Sequence, residues 1–483
     1  MDIIKKYVDE FNLHDDEFVK NDITNEKAYE WMAENVPHLI CPDKILEKAY
    51  YFRWWTYRKH IKNTPDGYVI TEFLSKVSWS RKHNTINAAA GHHIAEGKWL
   101  RCGQKYLDEY INFFLSGKGD AHQYSSWLLW SALSLWEHTG NFPLTEELYE
   151  KCKKYYEIWE DEHKTPCGLF WSYDGNDAME FSISGTRDMK RAKGIRPTLN
   201  SYMYGEAMAL SKIAAMLNKK EDETLYREKA EKIRTLINKY LYKDGFYRAY
   251  HPIDENFENI PDKLPSSPRE LIGYIPWQFG ILCENGDEMF DLLLDENVFY
   301  TDFGLATADK SHPLYLFENK HECLWNGYVW PFATSQTLNS LREYVKLNPQ
   351  KKKYKDMYMT LLHQYAKMHQ RHIKCGKKVM WIDEVRHPMK DEWSSREILE
   401  NMGWQECKGG YERGKDYNHS TFCDLVLSYI LNIDYNNGNP VFNVNVPDGW
   451  DSFSINNLFV CGREYSVMYD KTNGVSVKEK CAK

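Results

Sequence analysis

The segment 121–139 reads AHQYSSWLLWSALSLWEHT, and the pattern it carries recurs along the chain and decides the fold. Its apolar side chains return at spacings of three and four residues, and Gly140 follows as a stop signal. Leu129, Trp130 and Leu133 widen the apolar face beyond a single stripe. A helix with so wide an apolar face is expected to pack against neighbours on more than one side.

Twelve helical segments are predicted along the chain. They lie near 44–62, 84–97, 101–116, 121–139, 145–161, 198–217, 222–239, 273–283, 286–293, 329–346, 352–372 and 419–431. Connections after even-numbered segments are short. Most connections after odd-numbered segments are long, namely 63–83, 162–197, 240–272, 294–328 and 373–418, and the exception is 117–120.

This alternation of loop lengths predicts how the helices are arranged. Helices joined by short loops run antiparallel, so the long connections emerge at one end of the assembly. Long loops in a compact domain are commonly functional. We therefore predict an all-α (α/α)6 barrel over residues 44–436, with an active-site end and a plain end. A helical solenoid is the structural alternative, but the segments share no repeat signature.

Two regions are predicted outside the barrel. Residues 1–43 contain two short helical segments and form an N-terminal helical extension. From residue 437 onward, apolar and polar residues alternate between Pro, Gly and Asn, which is typical of β-strands. Residues 437–483 are therefore expected to form a small C-terminal antiparallel β subdomain.

The composition excludes several classes of function. The net charge of −8 is spread along the chain and its basic clusters are short, so nucleic acid is not an expected partner. No apolar run approaches the length of a membrane span, and the N-terminus lacks a secretory signal pattern. Eleven cysteines without a CxxC pair indicate reduced thiols, so a cytoplasmic protein is expected.

The stretch 170–185, FWSYDGNDAMEFSISG, is the clearest candidate for a functional loop. It places Trp171 and Tyr173 beside Asp177 and Glu180 in a segment interrupted by glycines. Aromatic rings stack on the apolar faces of a sugar, and carboxylic acids hydrogen-bond its hydroxyls or protonate a glycosidic oxygen. The stretch therefore indicates a carbohydrate site, with a solvated acidic turn as the alternative.

The other long loops and their edges carry similar residues. Trp, Arg, Asn and carboxylates that converge from separate loops form a pocket for a polyhydroxylated ligand. We therefore expect a small carbohydrate substrate. The predicted substrate-binding residues are Arg53, Trp54, Glu72, Trp171, Tyr173, Arg196, Asn200, Tyr202, Trp325, Asn326, Trp330 and His419.

Cleavage of a glycosidic bond needs two carboxyl groups on opposite sides of that bond. One protonates the leaving oxygen, and the other activates a water molecule or attacks carbon. In a closed ring of twelve helices, the loop with Asp177 and the loop 373–418 face each other across the mouth. Glu180 and Asp383 have an alternative role as helix caps or arginine partners.

Other patterns compete with this hypothesis. His93 and Glu96 lie one helical turn apart, as some metal ligands do, although a hydrogen-bonded helix face is the simpler interpretation. Cys423 beside His419 resembles a nucleophile and its base, although a buried cysteine on the twelfth helix is the simpler interpretation.

Two further classes of function stay open. A sugar epimerase or isomerase also fits an (α/α)6 barrel, since fold does not fix chemistry. A non-catalytic glycan-binding protein would keep the aromatic residues without turnover. The epimerase would use a histidine pair drawn from His92, His93, His312 and His419.

Three motifs resemble a known group of enzymes. GNDAMEFS at 175–182 resembles the segment around the general acid in the inverting glycosidases of glycoside hydrolase families 63 and 37. CLWNGYVWPFATSQTL at 323–338 is similar to their Trp-containing segment before a barrel helix. YNHSTFCDLVLS at 417–428 resembles their closing segment. The nearest subgroup is the bacterial branch related to mannosylglycerate hydrolases.

The resemblance implies an (α/α)6 barrel that hydrolyses glycosides with inversion, with Asp177 as the acid. The family base is a Glu in a Glu-X-Tyr segment; Glu384 in WIDEVRHP has the matching order without the Tyr, and Glu412 in GGYERG is its rival. No cofactor or metal is required by this mechanism. A short α-linked glucoside or mannoside, or a glycosylglycerate, is the expected substrate. The two carboxyl groups are expected roughly 6.5–9.5 Å apart.

Overall fold

A computed structural model describes residues 2–187, 190–191, 193–250, 268–317, 321–373, 376–436 and 438–480. Parts of four predicted long connections and of the predicted β subdomain lie outside these residues. The described chain is mostly helical. Its α-helices are α1 (Ile3–Asn12), α2 (Ala28–Asn35), α3 (Lys44–His60), α4 (Ala90–Gly97), α5 (Gly103–Leu115), α6 (Leu128–Thr139), α7 (Glu146–His163), α8 (Pro197–Met216), α9 (Lys220–Tyr240), α10 (Ile275–Gln278), α11 (Gly286–Asp291), α12 (Pro331–Leu347), α13 (Lys352–Met368), α14 (Ser394–Asn401) and α15 (Cys423–Leu431).

The strands form small antiparallel sheets, most of them two-stranded hairpins in the connections between helices. They are β1 (His38–Ile40), β2 (Ile61–Thr64), β3 (Gly67–Ile70), β4 (Trp171–Ser172), β5 (Thr186–Arg187), β6 (Lys190–Arg191), β7 (Gly194–Ile195), β8 (Tyr242–Lys243), β9 (Phe246–Tyr247), β10 (Tyr300–Thr301), β11 (Gly304–Leu305), β12 (Gln370–His372), β13 (Lys378–Met380), β14 (Ile433–Asn436), β15 (Asn439–Phe442), β16 (Ser452–Val460), β17 (Arg463–Asp470) and β18 (Gly474–Lys480).

Each of the twelve predicted segments contains one α-helix, α3–α13 and α15, and the two helices expected in 1–43 are α1 and α2. The prediction for 121–139 was wrong at its start, because α6 begins at Leu128. The Asn87 side-chain amide donates to the carbonyls of Ala121 (2.8 Å) and Tyr124 (2.6 Å) and holds this stretch as a loop. The connection before α6 is therefore long. Helix α14, inside the last long connection, was not predicted.

Six helices pack in a closed sequence. Helix α4 packs on α6, α6 on α8, α8 on α10, α10 on α12, α12 on α15, and α15 on α4. The helices between them in the chain pack against this set: α5 on α4 and α6, α7 and α9 on α8, α13 on α12, and α3 on α15.

Burial distinguishes the two sets of helices. In α8 most residues are buried on every side of the helix. In α9 one face is buried, formed by Tyr226, Ala230, Ile233 and Ile237 at spacings of three and four residues. Helix α8 is therefore covered all round, whereas α9 shields it from solvent with one apolar face.

Carboxylates on two helices of this set close the N-terminal ends of others. Glu96 on α4 accepts hydrogen bonds from the backbone N–H groups of Phe422, Cys423 and Asp424 at the start of α15 (2.8–3.2 Å). Glu206 on α8 does the same at the start of α6. These N–H groups have no partner within their own helix, and the helix dipole favours a negative charge there.

Replacing Glu96 by alanine is expected to lower the free energy of unfolding by roughly 2–4 kcal/mol, because buried N–H groups lose their acceptor. Urea denaturation of the variant and the wild type measures this loss. Glu96→Gln is the matched control, because it keeps one acceptor oxygen and should lose less. An unchanged urea midpoint in Glu96→Ala would contradict this role.

The C-terminal strands pair with the N-terminal extension. The four-stranded sheet has the order β1-β16-β17-β18, in which Leu39 of β1 faces Ile455 of β16. The predicted antiparallel strands near the C-terminus are present, and β1 joins them from residues 38–40. The two ends of the described chain therefore meet in one sheet. No described helix combines the length and the apolar character needed to cross a membrane.

Candidate active site

The loop 171–185 keeps a fixed shape because Asp174 closes it. The Asp174 carboxylate accepts hydrogen bonds from the backbone N–H groups of Gly175 (2.8 Å) and Phe181 (3.0 Å). A Cβ atom on Gly185 would lie 2.1 Å from the Cβ atom of Asp174, so only glycine fits at this position. The side chains on this loop are thus presented from a rigid backbone.

Glu180 lies between two residues with left-handed backbone conformations. Ala178 has a φ angle of 56° and Phe181 has one of 61°. Such angles are unfavourable for residues with a side chain and persist only where the surroundings impose them. Strain of this kind is concentrated at active sites. The local backbone therefore marks Glu180 as a candidate functional residue.

Asp177, the predicted general acid, is enclosed in an ion pair. Its carboxylate accepts hydrogen bonds from Ser125 Oγ (2.8 Å) and Arg196 Nε (2.6 Å). The side chains of Asp177 and Arg196 are both 0% exposed. Burial raises the pKa of Asp177, and the Arg196 charge opposes that shift. A glycosidic oxygen would have to displace one of these partners, so this position favours a structural role.

Arg196, a predicted sugar ligand, connects the loop to α8. Besides Asp177, its guanidinium donates to Ser184 Oγ (3.0 Å) and Ser182 Oγ (3.2 Å). Arg196 directly precedes the first residue of α8. The ion pair of Asp177 and Arg196 therefore holds the loop on both sides of Glu180.

Glu180 faces other negative charges. Burial raises its pKa to about 8, and the nearby carboxylates of Asp174, Glu384 and Glu72 act in the same direction. An acid with this pKa is protonated at neutral pH, which is the state that a general acid needs.

Glu384 also has a raised pKa, but an arginine holds it. Arg413 donates to both carboxylate oxygens, from Nε (2.7 Å) and from Nη2 (2.9 Å). Burial raises the pKa of Glu384 to about 7, Arg413 opposes this shift, and Asp383 and Glu72 add to it. The bidentate pair keeps the ionised form accessible at neutral pH, which suits a general base.

Glu72 completes a group of three carboxyl groups with Glu180 and Glu384, here called the carboxylate cluster. Its Oε1 atom lies 3.0 Å from His419 Nδ1. Burial and the nearby charges of Glu72 and Glu384 raise the pKa of the Tyr417 hydroxyl. The cluster brings together the connection after β3, the loop 171–185 and the segment before α14.

The wall beside Glu384 combines a guanidinium, a thiol and aromatic rings. The Arg413 guanidinium lies over the rings of Trp79 (4.4 Å) and Phe73 (4.6 Å). Arg413 Nη2 also lies 3.7 Å from Cys323 Sγ. Burial and the charges of Glu384 and Glu180 raise the pKa of the Cys323 thiol. Cys323 therefore stays protonated beside both carboxyl groups.

Trp325, a predicted substrate-binding residue, lies next to the carboxylate cluster. Its backbone N–H donates to the carbonyl oxygen of Glu180 (3.2 Å). Its ring stacks on the Trp330 ring at 4.7 Å, and Trp330 Nε1 donates to the Leu324 carbonyl. Both tryptophans are almost fully buried. They form a stacked base beneath the loop that carries Glu180.

Arg53 and Trp54, predicted as sugar ligands, lie within the helical core. Arg53 donates to the side chain and the carbonyl of Ser420 and to the hydroxyl of Tyr365. Trp54 is 0% exposed and contacts the Tyr50 and Tyr57 rings along its own helix. Neither position favours contact with a sugar, because hydrogen bonds occupy the Arg53 side chain and neighbouring rings enclose the Trp54 ring.

Asn200 and Tyr202, on α8, are likewise engaged by the protein. The Asn200 amide exchanges hydrogen bonds with the backbone N–H (2.7 Å) and carbonyl (2.8 Å) of Phe170. The Tyr202 hydroxyl accepts from Gln336 Nε2 at 2.7 Å. The two residues position the start of the loop and the interior of the helical set.

Of three other predicted ligands, Trp171 and Tyr173 are partly exposed and Asn326 is buried. The Trp171 ring packs 5.5 Å from the Tyr173 ring and 4.2 Å from Lys193 Nζ, and both rings are half-buried. Asn326 Nδ2 donates to the Phe317 carbonyl at 2.9 Å. Trp171 and Tyr173 keep the partial exposure that a stacking platform needs.

Glu412, the predicted rival base, pairs with Lys415 at 3.2 Å. It lines a groove of about 540 Å³ with residues 74–78, not one formed by the carboxylate cluster. Asp383, for which an arginine partner was the alternative, does bind Arg396 (3.4 Å). Of the candidates in the last long connection, Glu384 is therefore the one in the cluster.

The competing patterns have structural explanations. His93 bonds through its two ring nitrogens to the Tyr110 hydroxyl (3.1 Å) and the Asn418 carbonyl (2.7 Å). Glu96 closes the end of α15, so neither residue is arranged as a metal ligand. Among the residues that the structure describes, no group of His, Cys, Asp and Glu has the arrangement of a metal site. Burial raises the pKa of the Cys423 thiol, which does not favour a nucleophile.

The assignment of Asp177 as the general acid stays a prediction, and the structure adds Glu180, three residues later in the loop, as a second candidate. No role was predicted for Arg413, Cys323 and Tyr417. The sequence does hold one signal for the ion pair of Asp177. An aspartate and an arginine on the two sides of a loop can pair with each other instead of binding a sugar. The remaining contacts join loops that are distant in sequence.

Comparisons with known proteins identify the family of this chain. A family model described as the mannosylglycerate hydrolase MGH1-like glycoside hydrolase domain matches residues 82–420. A solved structure named as a sialidase matches with a TM-score of 0.86 and 32% identity, over 98% of this chain and 42% of that chain. An α-L-rhamnosidase from Dictyoglumus thermophilum matches with a TM-score of 0.55 and 14% identity, over 92% of this chain and 44% of that chain.

A third solved structure is matched over its whole length. It is a family 63 mannosylglycerate hydrolase from Thermus thermophilus, solved with Tris and D-glycerate. It matches with a TM-score of 0.51 and 11% identity, over 79% of this chain and 100% of that chain. At such identities the rhamnosidase and this hydrolase show a shared fold alone. The chain spans less than half the length of the sialidase and rhamnosidase chains.

Proposed function

This chain belongs to the family of mannosylglycerate hydrolase MGH1-like glycoside hydrolase domains, and from that premise we propose that Glu180 and Glu384 carry out the hydrolysis. The observation that supports this pair most strongly is their meeting in one cluster. The two residues come from loops far apart in the sequence, and the charge of Glu384 helps to raise the pKa of Glu180. Replacing each of them by glutamine tests the assignment.

In the proposed reaction Glu180 gives its proton to the glycosidic oxygen as the bond from that oxygen to the anomeric carbon breaks. Glu384 takes a proton from a water molecule, whose oxygen bonds to the anomeric carbon from the opposite face. The products are a free sugar of inverted configuration and the alcohol, and the two carboxyl groups have exchanged protonation states. Arg413 stabilises the ionised form of Glu384 before the reaction.

We propose inversion because the resemblance to inverting glycosidases implies it, and an inverting enzyme needs room for a water molecule between its two carboxyl groups. We expect a separation of roughly 6.5–9.5 Å between the two carboxyl groups when substrate is bound. A separation near roughly 5 Å would instead indicate retention through a covalent intermediate. NMR spectroscopy of the first-formed anomer distinguishes the two outcomes.

The proposed substrate is a short neutral glycoside, such as an α-linked glucoside or mannoside. The carboxylate cluster contains three carboxyl groups, and the guanidinium of Arg413 is already bound to Glu384. An acidic sugar would meet like charges there without a matching guanidinium. A sialoside is the second candidate, because the structure at 32% identity is named as a sialidase. A screen of glucosides, mannosides, glycosylglycerates and sialosides separates these possibilities.

The proposed architecture is an (α/α)6 barrel with the divisions expected from the sequence. The closed packing order of α4, α6, α8, α10, α12 and α15 supports it. Residues 1–43 and 437–483 would flank the barrel of residues 44–436. We keep the cytoplasm as the proposed compartment, because the nine described cysteines are free thiols.

The rate is expected to have a narrow pH optimum. Glu384 must be ionised, so kcat/KM should fall as the pH drops below about 7. Glu180 must be protonated, so kcat/KM should fall as the pH rises above about 8. A profile of kcat/KM from pH 5 to pH 10 measures both limbs. A rate that declines already above about pH 5 would contradict the assignment of Glu180, because an ordinary carboxylic acid ionises there.

A further inference from the structure

The guanidinium of Arg413 lies between two carboxylates. On one side, Glu384 accepts hydrogen bonds from its Nε and Nη2 atoms, at 2.7 and 2.9 Å. On the other side, Oε1 of Glu322 lies 3.9 Å from Nη1. The side chains of Arg413 and Glu322 are 1% and 3% exposed, so solvent does little to screen these charges. The two carboxylates therefore compete for one positive charge.

A lysine reduces this competition. The Nζ atom of Lys408 binds both carboxylate oxygens of Glu322, at 2.6 and 2.7 Å. These contacts are much shorter than the one between Glu322 and Arg413. Burial alone would raise the pKa of Glu322, but the hydrogen bond from Lys408 and the charges of His321 and Arg413 lower it overall. Glu322 is therefore an anion, and Lys408 is its main partner.

The backbone fixes Lys408 beside Arg413. Lys408 ends the short 3₁₀ helix Glu406–Lys408, and Gly409 and Gly410 follow with φ angles of 95° and 60°. Glycine adopts such left-handed angles readily, so the chain can turn back towards Arg413. The carbonyl of Lys408 then accepts a hydrogen bond from Arg413 Nη1 at 3.4 Å. One residue thus contacts the arginine through its backbone and the competing carboxylate through its side chain.

We propose that Lys408 is a positioning residue for the general base: by neutralising Glu322, it leaves the guanidinium of Arg413 to Glu384. This inference rests on the proposed function, because it concerns the base of that reaction. Lys408 takes no part in either proton transfer and acts only through Arg413. The ionisation of Glu384 is therefore the quantity that Lys408 controls.

Several ionisable groups face Glu384 and contribute to that ionisation. Arg413 lowers the pKa of Glu384 and so favours the ionised form. The other groups are acids, and their ionised forms would raise this pKa. They are Asp383, Glu72, Glu180, Cys323 and Tyr417. A change in how Arg413 is shared between its two carboxylates should therefore move the pKa of Glu384 directly.

Three variants separate this role from a structural one. In Lys408→Met the uncompensated Glu322 anion attracts Arg413, so the pKa of Glu384 should rise by about half a pH unit or more. In Glu322→Gln the competing anion is gone and the charge of Lys408 remains, so this pKa should fall by a similar amount. In the double variant both charges are absent, and the pKa should return to within about 0.3 pH unit of the wild type.

The pKa of Glu384 can be measured without turnover. Protein labelled with ¹³C at the glutamate carboxyl carbon is titrated by NMR spectroscopy, and Glu384→Gln identifies the Glu384 signal. Lys408→Arg keeps the positive charge and should give the wild-type pKa. Lys229→Met is the matched control, because Lys229 of α9 pairs with Glu160 of α7 and is 25% exposed, against 23% for Lys408. It should leave the pKa of Glu384 unchanged.

The kinetic profile provides the second measurement. The acidic limb of kcat/KM should follow the pKa of Glu384, to higher pH in Lys408→Met and to lower pH in Glu322→Gln. If Lys408→Met does not fold, Glu322→Gln, which keeps its side-chain size, decides the test alone. If the NMR pKa moves in neither variant, or in the same direction in both, the role of Lys408 is rejected while the hydrolase assignment stands. If the NMR pKa moves as expected but the acidic limb does not follow it, Glu384 is not the base, and the role of Lys408 in the reaction is wrong as well.

Discussion

Replacing Glu180 by glutamine is expected to lower kcat for an alkyl glycoside by about 10²–10⁴-fold, the usual contribution of a general acid. The variant keeps the size and hydrogen-bonding capacity of the side chain but cannot give a proton to the leaving oxygen. Substrate affinity should change little, because the other contacts of the site remain. Initial rates and isothermal titration calorimetry with the same substrate measure these two effects.

Asp177→Asn is the comparison that matters for this prediction. The one carbonyl oxygen of asparagine can still accept the hydrogen bond from Arg196, and its amide can donate to Ser125 Oγ, but the side chain no longer neutralises the buried guanidinium. Breaking a buried ion pair costs roughly 3–5 kcal/mol when one partner is removed. The main expected effect of this variant is therefore a lower free energy of unfolding. If folded Asp177→Asn were inactive and Glu180→Gln active, Asp177 would be the acid, as the family resemblance implies.

Replacing Glu384 by glutamine is the second change with a large expected effect. Without this base the attacking water keeps its proton, and kcat should fall by about 10²–10⁴-fold. The loss of kcat should persist on an aryl glycoside with a good leaving group. The attacking water must be deprotonated whichever leaving group departs. Rates on one alkyl and one aryl glycoside measure both expectations.

The control for this variant is Glu412→Gln. Glu412 pairs with Lys415 and lies outside the carboxylate cluster, so its substitution should leave kcat within about threefold of the wild type. The reverse pattern, with Glu412→Gln inactive and Glu384→Gln active, would make Glu412 the base.

Much of the fold could be predicted from the sequence. The periodicity of apolar residues is a local signal. It located twelve of the thirteen helices from α3 to α15 and missed α14. The start of α6 was misplaced because the stretch before it is held by the Asn87 side chain, which is distant in sequence. A tertiary hydrogen bond of this kind leaves no periodic signal.

The site was harder to predict, because a sequence shows which residues share a loop but not which of them face each other. Asp177 and Glu180 are three residues apart, and only the partners of each side chain distinguish the roles proposed for them. Arg196 neutralises Asp177, whereas Asp174, Glu384 and Glu72 surround Glu180. Trp54 was predicted as a sugar ligand from its residue type alone, and the fold encloses it in the core.

The most direct test of the central claim is a series of substrates with leaving groups of increasing acidity, applied to Glu180→Gln and Asp177→Asn. A good leaving group departs without a proton. Only the loss of the general acid therefore makes the rate deficit depend on the acidity of the leaving group. We predict that the deficit of Glu180→Gln shrinks from about 10²–10⁴-fold on an alkyl glycoside to less than about tenfold on a dinitrophenyl glycoside. Asp177→Asn should show no such trend. A constant deficit in Glu180→Gln, with the trend in Asp177→Asn instead, would contradict the assignment of Glu180 as the proton donor.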